Sequence, residues 1–153
     1  MKIITTLITI LLLTISTFSI EIIAPNLIAP ENDKVTVEIA VGGAEGIVAC
    51  DYILDYDPDV LTPVGDRRTN FSCETGWLAV PMQTLCNVVP GEEGILRVAT
   101  WGYTNYTGTG SILTVTFYTH EKGVSPLEFD AIRMFDAGGL VEINEKNGWV
   151  EVR

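Results

Sequence analysis

The sequence predicts an all-β sandwich. Short runs of alternating apolar and polar residues recur through most of the chain. Gly, Pro, Asn or Asp interrupts these runs roughly every 8–12 residues, the rhythm of strands in a sandwich. No stretch keeps a 3.6-residue apolar period over about twelve residues, the length a packed helix would need.

Residues 46–61, GIVACDYILDYDPDVL, form the clearest strand. Read with a period of two, Val48, Cys50, Tyr52, Leu54 and Tyr56 share one face, which is aromatic and apolar and is expected to line a core. Ile47, Ala49, Asp51, Ile53 and Asp55 share the other, which mixes carboxylates with apolar groups and is expected to meet solvent or a partner. Pro58 lacks an amide hydrogen and biases Asp57 to an extended or turn conformation, so the ladder is expected to stop there. Val60 and Leu61 then make a short apolar turn under the sheet.

Taken in order, the first twenty residues read as a secretory leader. Lys2 gives a positive start, 3–15 is apolar apart from threonines, and Thr17-Phe18-Ser19 offers small residues for cleavage after Ser19. The predicted division is therefore a leader at 1–19 and one domain at 20–153. The other reading is an uncleaved anchor: 3–23 just spans a hydrocarbon layer of roughly 30 Å, and only then is a membrane a partner.

Strands follow at 20–24 (IEIIA, closed by Pro25) and 35–41 (VTVEIAV), with a turn at Pro30, Asn32 and Asp33. Residues 42–46 (GGAEG) read as a flexible turn into the 46–56 strand. In the less regular stretch 70–86, 78–80 and 82–89 read as strand pieces divided by Pro81, which confines that region to an edge or bulge. Residues 90–94 (PGEEG) make a hairpin loop, 95–101 (ILRVATW) a strand, and 108–110 (GTG) a second glycine turn. Residues 112–120 (ILTVTFYTH) are the most β-prone run. Strands at 126–132, 140–143 and 148–152 complete the chain, separated by turns at 121–123 and 137–139.

Lys2 is the only charge before Glu21, so the remainder carries eight basic and twenty acidic residues, a net charge of −12. Such a surface repels phosphate backbones and anionic lipid, which excludes nucleic acid as the natural partner class. It favours a basic partner, one carrying bound cations, or simple solubility.

There are three cysteines. Cys50 lies on the inward face and is expected to be a buried thiol. Cys73 and Cys86 flank Trp77 in the irregular stretch, and we predict a disulfide between them, suited to an oxidising compartment. No cysteine–histidine spacing suggests zinc. Asn70-Phe71-Ser72 and Asn105-Tyr106-Thr107 are glycan acceptor sequences or chance matches, and both are expected on the surface. Asp55-x-Asp57-x-Asp59 resembles the start of a calcium loop, but Val60 stands where such a loop turns on glycine, so a strand-end turn is preferred and no metal ligands are assigned. His120 is the single histidine, and Glu92 and Glu93 sit on a glycine-rich hairpin; no catalytic residues are assigned.

These residues bring a family into view. The stretches 46–47, Cys50-Asp51-Tyr52, 56–61 (YDPDVL), 94–99 (GILRVA), 108–117 (GTGSILTVTF), 123–127 (GVSPL) and 147–152 (NGWVEV) resemble, in order and spacing, a cohesin domain, the module of cellulosome scaffolds. The resemblance covers 20–153. It implies a nine-stranded jelly-roll β-sandwich that is not an enzyme. It further implies capture of a calcium-loaded dockerin through one flat sheet face, with calcium on the partner and no cofactor on this chain. That face is built partly from the strands matching 46–56 and 95–101. Asp51 matches a polar position that contacts dockerin; Ala49 falls where cohesins often carry a polar residue. The expected contacts are Asp51, Ala49 and Ile53 on one strand and Arg97, Ala99 and Trp101 on the next, although the sequence does not say which side of 95–101 faces outward. The expected role is assembly of polysaccharide-degrading or cell-surface complexes, outside the cell or tethered to it.

A second reading is sugar binding, with Trp101, Tyr103 and Tyr106 as a stacking row and Trp77 and Trp149 elsewhere. A third is a cell-surface structural protein that kept the fold and lost the binding.

Overall fold

The structure is a computed structural model that describes residues 19–80 and 82–153. The leader expected at 1–19 lies outside the described residues up to Ser19, and so does the edge or bulge expected at Pro81. Eleven strands and one short 3-10 helix, Arg67–Ser72, make up the described chain. In order the strands are β1 (Ile20–Ile23), β2 (Asn26–Ala29), β3 (Lys34–Asp55), β4 (Leu61–Pro63), β5 (Cys73–Thr75), β6 (Gln83–Val88), β7 (Ile95–Thr119), β8 (Gly123–Asp136), β9 (Gly139–Val141), β10 (Ile143–Lys146) and β11 (Gly148–Val152). Among the described residues no helix is long and apolar enough to cross a membrane.

The predicted sandwich is present, but its strands are joined differently from the expected nine. The glycine segments 42–46 and 108–110 are not turns. They lie inside β3 and β7, which run antiparallel to each other almost end to end. Register shifts between Ile39 and Ala49 break this ladder, and Gly43 and Gly46 adopt positive φ there. A glycine that accepts positive φ lets a strand kink without leaving the sheet. Each long strand thus serves both layers. One layer contains β10, β1, the first part of β3, the last part of β7, and β4 and β5; the other contains β6, the first part of β7, the last part of β3, β8 and β9. The start of β8 pairs with β11, which pairs in parallel with β2.

The same kinks correct one side-chain assignment. Ile47, expected outward, is fully buried, because the shifts on either side of it interrupt strict alternation. Beyond the kink the alternation holds: Cys50, Tyr52, Leu54 and Tyr56 are buried, while Ala49, Asp51, Ile53 and Asp55 are half-buried on the opposite side. β3 ends at Asp55, Val60 and Leu61 are buried, and the Asp59 amide donates to Asp57 Oδ1 in the expected strand-end turn. Val37, Ile39, Leu113, Val115 and Phe117 of one layer and Leu54, Leu96, Val98 and Met134 of the other belong to one core cluster. Residues 78–80, expected as a strand piece, form a turn; Leu78 and Ala79 amides donate to Ser111 and Gly76 carbonyls instead of a ladder.

Cys73 and Cys86 are joined by a disulfide, and Cys50 is a buried free thiol. Burial raises the Cys50 thiol well above its ordinary pKa, with the neighbouring Asp51 charge adding to the effect, so it is not a thiolate at neutral pH.

Asn70 departs from the surface expectation. Its side chain is half-buried: Nδ2 donates to the Cys73 and Thr84 carbonyls, and Oδ1 accepts from the Cys86 amide at 2.6 Å. The nitrogen a glycan would occupy is spent tying the 3-10 segment to β5 and β6. Asn105 is exposed, as expected.

Candidate protein-binding face

The register brings the six predicted contact residues together. Ala49 pairs with Trp101, Asp51 with Ala99, and Ile53 with Arg97. Val98 and Thr100 point into the core at 2% exposure each, so Arg97, Ala99 and Trp101 share the outward side of β7 with the mixed side of β3. β6 and β8 extend each row. Gln83 pairs with Trp101, Leu85 with Ala99 and Asn87 with Arg97 on one flank. Phe135 pairs with Ala49, Arg133 with Asp51 and Asp130 with Ile53 on the other. The result is an open four-strand face whose centre is made of small or short side chains.

A groove of about 440 Å³ crosses this face. Leu85, 52% exposed, and Asn87 stand on the β6 side; Ala131 and Arg133 stand on the β8 side; Ala99, Asp51 and Ile53 lie between. A larger pocket, about 800 Å³, opens elsewhere beside Ser19, Gly43, Glu45 and Asp136. It shares no residue with the predicted contacts, so the groove is the better candidate.

Asp51 is not a free carboxylate. Arg133 Nε donates to its Oδ1 at 3.0 Å and Arg133 Nη2 to its Oδ2 at 2.6 Å, a two-pronged pair that fixes the plane of the carboxylate. Arg97 Nη2 donates to Glu92 Oε2 at 2.8 Å. Sequence reasoning missed Arg133 and Leu85. Strict alternation along β8 places Met134 outward and Arg133 inward, but a register shift at Ala131, whose φ is 49°, reverses them. Met134 is fully buried and Arg133 exposed.

One end of the face is acidic. Asp55 pairs with Glu128, and Asp130 lies one row away. Burial, then the Asp130 and Glu128 charges, raise the Asp55 carboxyl above its ordinary pKa. A raised carboxyl favours the protonated form in the fold. The resulting strain is absent below the unfolded value near pH 4 and develops as pH rises through the raised value. Asp55→Asn is therefore expected to raise the melting temperature at pH 7 and to leave it unchanged at pH 3. Melts at both values check this; an equal gain at both would exclude the charge as its cause.

The row expected from Trp101, Tyr103 and Tyr106 does not form, because Tyr106 is buried at 4% while Trp101 and Tyr103 are exposed. Trp77 is also exposed, with one edge of its ring over Gly110, and Trp149 is half-buried on β11. His120 bonds Thr62 Oγ1 at 2.8 Å at an exposed strand end.

β6, β7, β3 and β8 thus present one open sheet face on the β-sandwich, with the Arg133–Asp51 and Arg97–Glu92 pairs around Ala99. Residues 21–152 match the cohesin domain family model, and the chain belongs to the cohesin family. Its fold is similar to that of a non-cellulosomal cohesin from the hyperthermophilic archaeon Archaeoglobus fulgidus, at 20% identity and a TM-score of 0.76 over 88% of this chain and 91% of that one. It is also similar to a chain of the OlpA cohesin–Doc918 complex, a type I cohesin–dockerin complex from Clostridium thermocellum, at 21% identity and a TM-score of 0.75 over 88% and 99%. A type II cohesin domain from the cellulosome of Acetivibrio cellulolyticus aligns at 18% identity and a TM-score of 0.69 over 86% and 94%. No curated protein sequence matches this chain.

Proposed function

We propose that this chain is a non-catalytic adaptor that captures a calcium-loaded dockerin-like module on the face formed by β6, β7, β3 and β8. The observation that carries the reading is the register: Asp51 and its five predicted companions become cross-strand neighbours on one open surface. Relatives of the same fold were solved in complexes with dockerins, which supports the partner class. The calcium belongs to the partner, and this chain supplies hydrogen-bond acceptors and donors to it. The apolar, threonine-bearing start of the sequence supports a role outside the cell or at its surface, in complexes that degrade polysaccharide or decorate the envelope.

Binding to an array of dockerin modules, with calcium and with a chelator, tests the proposal. Asp51→Ala is expected to weaken capture by about 1–3 kcal/mol, since it removes a charged acceptor and leaves the Arg133 fork unpaired at the contact. Affinity that is the same for the variant and the native protein would take Asp51 out of the interface.

A further inference from the structure

We infer that the partner lays an apolar ridge across the row Trp101, Ala49, Phe135 and Leu140, and that a lysine or arginine of the same module reaches the acidic end of the face. The inference rests on the adaptor reading and specifies the chemistry of its partner.

The charges in the middle of the face are already matched. Arg133 meets both oxygens of Asp51, and Arg97 is paired with Glu92. What the face leaves without a counterpart lies on either side of these two pairs. On one side is a single cross-strand row. Trp101 of β7 pairs with Ala49 of β3, Ala49 with Phe135 of β8, and Phe135 with Leu140 of β9. Residues directly opposite in antiparallel strands point to the same side of a sheet, so the four side chains form one strip. It runs over three strand spacings, about 14 Å. Trp101 is 43% exposed and Leu140 66%, while Ala49 and Phe135 are half-buried between them. Leu85, opposite Ala99 in the next row, widens the strip. The uncharged Gln83 ends it on β6. Covering such a strip with apolar groups releases its water, the main favourable term the face offers once its central charges are paired.

On the other side lie Asp55, Glu128 and Asp130, without a cation partner among the described residues. Asp55 is six positions along β3 from Ala49, about 20 Å. The face therefore has an apolar end and an acidic end, and an occupant must answer both in one orientation. A second copy of this chain fails the test, because it adds its own acidic end and a further net charge of −12. A neutral sugar chain fails it too, since it brings no cation to the carboxylates. A protein module with an apolar ridge and a basic side chain beyond it satisfies both ends. The occupant is thus a dockerin-like module whose contact surface is apolar where it meets Phe135 and basic where it meets Glu128.

A displayed library of dockerin modules, randomised over their surface and selected in calcium, reads this directly. The native protein is expected to enrich clones that carry aliphatic or aromatic residues together with Lys or Arg. Those clones are then titrated against Trp101→Gln, Leu140→Gln and Glu128→Lys, whose folding is checked by thermal melts. Each apolar replacement is expected to weaken binding about tenfold or more, and Glu128→Lys several-fold. Leu140 is the sharper probe, because it lies on β9, outside the four strands that carry the predicted contacts. Ile28→Gln is the control: Ile28 is 58% exposed on β2, away from this face, and its replacement is expected to change nothing. A pool without apolar enrichment, a pool rich in Asp or Glu, clones indifferent to Leu140→Gln or to Glu128→Lys, or an equal loss with Ile28→Gln would overturn the inference and leave the adaptor reading standing. Capture of no clone at all by the native protein would overturn the adaptor reading and this inference together.

Discussion

Phe117→Ala is expected to destabilise the fold by about 3–5 kcal/mol, the usual range for deleting a buried aromatic ring. Phe117 is fully buried on β7 and meets Tyr56 edge to face, with ring centroids 5.2 Å apart. Tyr56 follows the end of β3, the strand that carries Asp51 across the open face. The ring therefore joins the two layers where the binding strand leaves the sheet. Because a domain of this kind is stabilised by only about 5–15 kcal/mol in total, the loss is a large share of it. Urea denaturation measures it, and a cost below about 1 kcal/mol would place the ring outside the packed interior.

Replacing Cys73 and Cys86 together by serine is expected to cost about 3 kcal/mol, the chain-entropy value for a loop near fifteen residues. The disulfide spans 13 positions and fastens β5 to β6, beside the Asn70 hydrogen bonds that tie the same elements. β6 supplies Leu85 and Asn87 to the groove. Its release is thus expected to weaken partner capture as well as to lower the unfolding midpoint. The unreduced native protein is expected to show one thiol on denaturation, from Cys50. Three thiols would remove the disulfide from the account.

The strands were readable because alternation survives wherever the ladder is regular, as it does from Cys50 to Tyr56. It fails where a backbone irregularity shifts the phase. Glycines at 42–46 signal both a turn and a bulge, and only the partner strand decides between them, so the sequence suggested a flexible turn where the strand runs on. At Ala131 no glycine or proline marks the shift, and Arg133 is hidden from any period-two reading. The contact residues on β3 were legible from one strand alone. Those on β7 were legible only as a set, because apolar and polar residues occur on both its sides. Leu85 needed the pairing of β6 with β7, which joins residues too irregular in sequence to phase. Asn70 was misplaced because an acceptor sequence says nothing about what its amide already holds.

The Asn70 amide stands in for a peptide group. On the side of β6 away from β7, it donates to the Thr84 carbonyl and accepts from the Cys86 amide, as a neighbouring strand would. Bare sheet margins template the addition of foreign backbone and so seed fibrils and swapped oligomers. One side chain occupies two backbone groups of that margin next to the candidate face, so a second copy of the chain finds no free ladder there at Thr84 and Cys86.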